Sequence, residues 1–278
     1  MTSTRVMDRN SFFGGINRKL KSTNGKEVLV FVHGFNTSFE EALERTAQLS
    51  YDLKFEGATI SFTWPSYRLS WVQEVTFAIP FDIVRRVALS SAYNGAIENA
   101  DLAVSQLKEF LSEVRKSTGA TTVHLIAHSL GARVLANALF DLAQSERSKG
   151  NIRFRQVILA APDINVDVFE ELARVFPTTA DRVTLYASSA DRVLRTSEII
   201  NDHPRAGEGG NRIVIVPSVD SIEATAVDTS FVGHSYYAES KSVIFDIFRL
   251  LRGGDPPDRR FGLEPRVLGG KRYWFMRP

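Results

Sequence analysis

The sequence predicts an α/β fold: a mostly parallel central sheet of about six or more strands, helices on both faces, and one inserted cap-like or lid-like segment. Short apolar, β-branched runs recur at residues 28–32, 58–63, 122–127, 156–161, 182–187 and 212–216. Each is continuous rather than alternating, the pattern of strands buried on both faces of a parallel sheet. Helical spacing fills most of the intervals, so strand and helix alternate along the chain. Residues 65–94 break that rhythm and mark the insertion.

Taken in order, residues 1–26 hold six Lys/Arg and one Asp, a net of +5, and read as a basic N-terminal extension. They lack the apolar core of a secretory signal, and no apolar run approaches a membrane span, so a cytoplasmic protein without a transmembrane segment is expected. After the first strand, Thr37 with Glu40 and Ser38 with Glu41 form overlapping capping boxes, which predict a helix over about 38–53. The 65–94 segment is too long for an ordinary connection and carries Trp71, Phe77, Phe81 and Tyr93. Ile97, Ala100, Val104, Leu107, Leu111 and Val114 then line one helical stripe that ends at Gly119. A second stripe, Leu130, Val134, Leu135, Ala138, Leu139 and Leu142, follows Ser129. Beyond Leu251 the Gly/Pro-rich "RGGDPPDRR" closes a main domain of residues 27–251. It opens a basic tail, 252–278, expected to pack back through Trp274 and Phe275.

The two ends carry +5 and +4 of an overall +2, which leaves the middle at −7. Basic ends on an acidic body argue against a nucleic-acid partner held in the core. Zero cysteines exclude disulfides, thiolate metal sites and a cysteine nucleophile.

In open α/β sheets, reactive groups gather where strands end. At the end of the third strand stands Ala127-His128-Ser129-Leu130-Gly131. A nucleophile elbow needs small residues two before and two after the serine, because its turn brings backbones close together. Ala127 and Gly131 satisfy that requirement. Over five residues, however, a serine that merely caps a helix looks the same. Of the five histidines, His234 in "FVGHSYY" follows the last strand and precedes the final helix, where a general base is needed. His33 and His128 read as packing or hydrogen-bonding residues, and His124 as a core histidine. Two aspartates at strand ends can orient the imidazole: Asp191, the preferred acid, and Asp163, the alternative. The Leu130 and Phe35 N–H groups form the expected oxyanion hole. Trp64, Tyr67, Trp71 and Tyr236 are the candidate walls of an apolar pocket.

These stretches resemble a known group. "VLVFVHGFNTSFEEALER", "ISFTWPS", "ADLAVSQLKEFL", "VHLIAHSLGARVLANAL", "VILAAPDI" and "GHSYY" are similar to bacterial α/β-hydrolases of unknown function, loosely esterase- or lipase-like. The resemblance runs from about Val28 to the final helix. It implies a serine-hydrolase fold with Ser129, Asp191 and His234 at the matching positions. The expected activity is cleavage of short to medium acyl or aryl esters through an acyl-enzyme on Ser129, with a small-molecule ester as partner and no metal or organic cofactor. The same triad also serves a thioesterase, an amidase or an acyltransferase. A non-catalytic binding protein on the same scaffold is the reading from a different class.

Overall fold

The computed structural model describes residues 5–66, 81–146, 153–189, 203–225 and 241–277. Its frame is an eight-stranded sheet in the order β2-β1-β3-β4-β5-β6-β8-β7. The first six strands are β1 (Glu27–Val32), β2 (Ala58–Phe62), β3 (Thr122–His128), β4 (Phe154–Ala160), β5 (Ala180–Ala187) and β6 (Val219–Glu223). A final hairpin adds β7 (Leu263–Leu268) and β8 (Lys271–Met276). All adjacent pairs run parallel except β7 with β8.

Alternation within each strand decides which face each residue serves. On β1, Val28, Val30 and Val32 join the larger core, while Leu29 and Phe31 join the smaller one. Against the larger core lie α1 (Arg9–Lys21), α3 (Phe81–Ser117) and α4 (Leu130–Glu146), with the shorter α5 (Val166–Ala173) and the single turn α6 (Phe176–Thr179). Against the smaller core lie α2 (Phe39–Asp52) and α7 (Lys241–Gly253). Both strand faces are therefore dry, which is why the strand sequences are continuous apolar runs.

Helix boundaries follow local chemistry. Ser38 caps α2: its Oγ accepts the Glu41 N–H at 3.2 Å, and Glu41 Oε2 accepts the Ser38 N–H at 2.7 Å. The second of the two predicted capping boxes is thus the one that forms. Asn165 caps α5 by accepting from the N–H groups of Asp167 and Val168. In the insertion, Phe81 onward belongs to α3, a continuous helix of 37 residues. Its first half, 67–80, lies outside the described residues.

Three expectations need correction. Residues 1–26 are not merely an extension, because α1 buries Phe13, Ile16 and Leu20 in the larger core. That apolar stripe is thin and interleaved with basic residues, so the charge count masked it. The sixth strand is 219–223 rather than 212–216. Pro217 offers no N–H to a ladder, and Ser218 turns the chain at φ +68, so pairing with β5 starts at Val219. The 252–278 tail does not simply pack on the domain but widens its sheet, with Trp274 and Phe275 of β8 in register with Ile222 and Glu223.

A buried ionic network fastens that tail. Arg260 reaches under the sheet and binds both carboxylate oxygens of Asp246 on α7, with Nε to Oδ1 at 2.8 Å. The Tyr186 hydroxyl donates to Asp246 Oδ2 at 2.7 Å and accepts from Arg260 Nη2 at 2.8 Å. Burial, together with the Asp246 charge, raises the Tyr186 phenol well above its ordinary value and keeps it protonated. Removing one partner strands a charge without water. Arg260→Met should destabilise the protein by about 3–5 kcal/mol in urea unfolding, more than Tyr186→Phe, which deletes two hydrogen bonds but leaves the Arg260–Asp246 ion pair in place.

Candidate active site

Chain order reverses between β1 and β3, since β2 lies on one side of β1 and β3 on the other. A crevice at the carboxyl ends of the strands opens at such a point. Two loops meet there: the turn from β3 into α4, and the His33–Ser38 connection from β1 into α2.

Ser129 occupies the single residue between β3 and α4 and takes φ +52. A serine cap adopts extended dihedrals, as Ser38 does at φ −74 and ψ 168. The two serines precede helices in the same way by sequence, yet they differ in backbone. Ser129 sits in the left-handed region that a strand–nucleophile–helix elbow demands. Its N–H donates to Ala160 C=O at 3.0 Å, and its C=O accepts from Ala132 N–H (3.0 Å) and Asp163 N–H (3.2 Å). The buried Ser129 thus stands at the N-terminal end of α4, where helix amides concentrate partial positive charge.

The glycine two residues later is compulsory. A Cβ on Gly131 would lie 2.2 Å from His33 O and 2.6 Å from Val32 O. On the opposing loop, a Cβ on Gly34 would meet His128 Nδ1 at 3.0 Å and Ser129 Cβ at 3.1 Å. The end of β1 and the elbow are therefore in backbone contact, which brings Phe35 and Leu130 to the same crevice.

The β1 loop is stiffened by the loop after β2. Asn36 N–H donates to Ser66 C=O (3.0 Å), Thr37 N–H to Ser66 Oγ (3.1 Å), and Ser66 Oγ–H to Thr37 C=O (2.8 Å). Phe35 N–H has no acceptor among the described residues. Leu130 N–H opens a helix, where no intrahelical acceptor exists. Trp64 is buried and bonded to His33: its backbone N–H donates to Nε2 (3.1 Å), its indole N–H donates to His33 C=O (2.9 Å), and the rings stack. With Nε2 accepting, Nδ1 carries the imidazole proton and donates to Gly34 C=O at 3.0 Å. His33 is consequently a loop brace, and Trp64 faces His33.

Asp163, the alternative acid, lies just past β4. Its Oδ2 accepts from the Tyr93 hydroxyl at 2.7 Å, and Arg205 Nε is 3.4 Å from Oδ1, with all three residues buried. Arg205 gave no sequence signal, because "NDHPRAGEGG" reads as a polar loop. In the fold, residues 204–207 run beside 162–166 through Val166 N–H to Pro204 C=O, Ala206 N–H to Ile164 C=O and Gly207 N–H to Pro162 C=O.

The ends of β5 and β6 are tied together. Ser189 N–H donates to Thr225 Oγ1 (2.8 Å), and Thr225 donates to Glu223 Oε1 (2.9 Å), which also accepts Gly210 N–H (2.9 Å). Asp191 and His234 follow these anchors in the chain. Asp191, His234, Tyr67, Trp71 and Tyr236 lie outside the described residues. Among the described residues, no cluster of His, Asp or Glu suits a metal ion, and no helix is long and apolar enough to cross a membrane.

A family model described as "Alpha/beta hydrolase of unknown function (DUF900)" matches residues 8–252. No curated protein matches the chain. Among solved structures, the chain is similar to a putative cell surface hydrolase from Lactobacillus plantarum WCFS1 at 13% identity and a TM-score of 0.47, covering 85% of this chain and 96% of that one. It is also similar to an uncharacterized protein from Bacillus cereus ATCC 10987, at 12% identity and a TM-score of 0.44 over 92% of this chain. The chain spans 64% of that Bacillus protein's length.

Two measurements check the construction of this crevice. Gly131→Ala should lower unfolding free energy by at least the upper end of the ~1–3 kcal/mol typical of overpacking, because the obstacle is backbone rather than a movable side chain. Gly34→Ala, with looser contacts, should be milder in the same urea titration. The second concerns acid. Burial lowers His33 and His124 from 6.5 to about 4, each in its neutral form. Between those values the unfolded chain binds protons that the folded chain refuses, so stability falls as pH drops through 6.5 toward 4. Replacing His124 by Leu should flatten that dependence by up to about 1.4 kcal/mol per pH unit.

Proposed function

The chain belongs to the DUF900 family of α/β-hydrolases, and from that premise we propose that it is a serine hydrolase of carboxylic esters with Ser129 as its nucleophile. The observation that carries the reading is the left-handed backbone of Ser129 between β3 and α4, with Gly131 pressed on the His33 carbonyl. A serine that only started a helix would have no need of that conformation.

In this mechanism His234 takes the Ser129 proton as Oγ attacks the ester carbonyl carbon. The carbonyl π electrons move onto oxygen, and the resulting oxyanion accepts hydrogen bonds from the Leu130 and Phe35 N–H groups. Collapse of the adduct expels the alkoxide, which His234 protonates, leaving an acyl-enzyme. Water, deprotonated by His234, then attacks the acyl carbon. A second collapse releases the acid and returns the proton to Ser129. Asp191 holds the imidazole in the required tautomer and stabilises its cationic form. Asp163 is less suited to that part because its carboxylate already receives Tyr93 and faces Arg205. Tyr67, Trp71 and Tyr236 would line the acyl or aryl side of the crevice, favouring short to medium chains.

A panel of p-nitrophenyl esters of increasing chain length tests this on wild-type and Ser129→Ala protein. The variant should keep its circular dichroism spectrum and lose turnover and fluorophosphonate labelling; retained turnover would remove Ser129 from the chemistry. Asp191→Asn should lower kcat by about 10⁴-fold, as expected for a lost imidazole partner. A larger loss in Asp163→Asn, together with a shift of the acid limb of the pH profile, would exchange their roles.

A further inference from the structure

We propose that Tyr93 and Asp163 are positioning residues that align both donors of the oxyanion hole. The proposal rests on the serine-hydrolase reading and extends it to residues that the triad does not use.

The first link is covalent. Ser129 C=O and Leu130 N–H are opposite ends of one planar trans peptide unit, so whatever fixes the carbonyl also fixes the direction of the N–H. That carbonyl accepts two hydrogen bonds, from Ala132 N–H at 3.0 Å and from Asp163 N–H at 3.2 Å. The Ala132 bond is ordinary first-turn geometry. The Asp163 bond comes from another strand end, across the crevice floor. Two donors on the carbonyl also draw charge through the amide and make the opposite N–H a stronger donor.

The second link is the anchoring of Asp163. Its backbone can hold Ser129 only if Asp163 itself does not move, and its side chain is bound by the Tyr93 hydroxyl at 2.7 Å and neutralised by Arg205. Water is excluded there, since Tyr93, Asp163 and Arg205 are each 4% exposed or less. A buried ion pair beside a hydroxyl is an inefficient way to fill a core, because desolvating the charges offsets much of their attraction. Fixing a backbone amide to a fraction of an ångström is a task such a network performs well.

The third link joins the other donor. The Tyr93 ring meets Phe35 edge-on, with centroids 5.8 Å apart and planes at 70°. Phe35 carries the second proposed donor. One side chain on α3 therefore touches the loop that carries one donor and, through Asp163, the peptide that carries the other. Tyr93 keeps the spacing between them, and that spacing decides how well both reach a single oxygen.

The test separates alignment from general support. Tyr93→Phe keeps the ring against Phe35 and removes the hydroxyl. With p-nitrophenyl acetate, kcat should fall by about 10- to 100-fold, less than the 10²–10³-fold of deleting a donor outright, while KM stays within twofold. The acid limb of the pH profile should not move. Inhibition by a trifluoromethyl ketone, which forms a tetrahedral adduct on Ser129, should weaken by the same factor as kcat/KM. Phe35→Leu, which loosens the third link without touching Asp163, should give the same signature at smaller amplitude, and it serves if Tyr93→Phe is unstable by thermal denaturation. A Tyr93→Phe enzyme with kcat within twofold of wild type, or with unchanged ketone inhibition, overturns the proposal. So does a shifted acid limb, which would put Asp163 in the triad. Turnover surviving in Ser129→Ala would instead mean that the serine-hydrolase reading itself had failed.

Discussion

The approach of Gly131 to the carbonyls of Val32 and His33 is the constraint on which the upper side of this molecule depends. It forces the first turn of α4 against the end of β1, at the point where strand order reverses. The described residues of the two loops are then arranged around that contact. Gly34 yields to the Ser129 side, Asn36 and Thr37 turn away to Ser66, and His33 is braced between Trp64 and its own loop. A larger residue at position 131 would not only disturb packing; it would separate the two loops that must face each other.

Away from that contact, the structure uses buried charge to fasten elements that packing alone leaves loose. Arg260 and Asp246 join the tail hairpin to α7, with Tyr186 of β5 as the third member. Arg205 and Asp163 join the 204–207 return to the end of β4, with Tyr93 of α3 as the third. Glu223 and Thr225 join the ends of β5 and β6. In the first two cases a tyrosine hydroxyl completes the carboxylate. The arrangement lets a flexible guanidinium reach across the chain while a short, stiff phenol sets the geometry. The last of these ties precedes both proposed catalytic residues in the chain: Asp191 follows Ser189 by two residues, and His234 follows Thr225 by nine.

The parts of this fold that could be read from sequence are those governed by periodicity. The runs that became β1 to β5 stood out because strands covered on both faces are continuously apolar, and the α2 start stood out because Ser38 and Glu41 cap each other. Where partnership rather than periodicity decides, reading failed. Ile213 and Val214 are apolar and buried yet sit outside the ladder, because Pro217 and Ser218 delay pairing until Val219. The β7–β8 ribbon is rich in Arg and Lys because an edge is half exposed, so it resembled a tail. The candidate site divides in the same way. Ala127 and Gly131 were legible as steric requirements, whereas Arg205 was not, since nothing in a polar loop announces that it will fold under a neighbouring strand end.

The backbone itself carries the strongest argument about Ser129. Asn36, Ser129 and Ala161 all take left-handed dihedrals at the ends of the adjacent strands β1, β3 and β4. Each non-glycine residue there stores about 1–3 kcal/mol of strain. In each case the N–H is held by a neighbouring segment: Asn36 by Ser66 C=O, Ser129 by Ala160 C=O, and Ala161 by Tyr186 C=O. These bonds hold each left-handed turn in place. Glycine would tolerate it without strain. At Ser129, with little room around it, the chain keeps a hydroxyl instead. Strain at a residue that presents a hydroxyl at a helix N-terminus is what supports the proposal that this hydroxyl is the nucleophile.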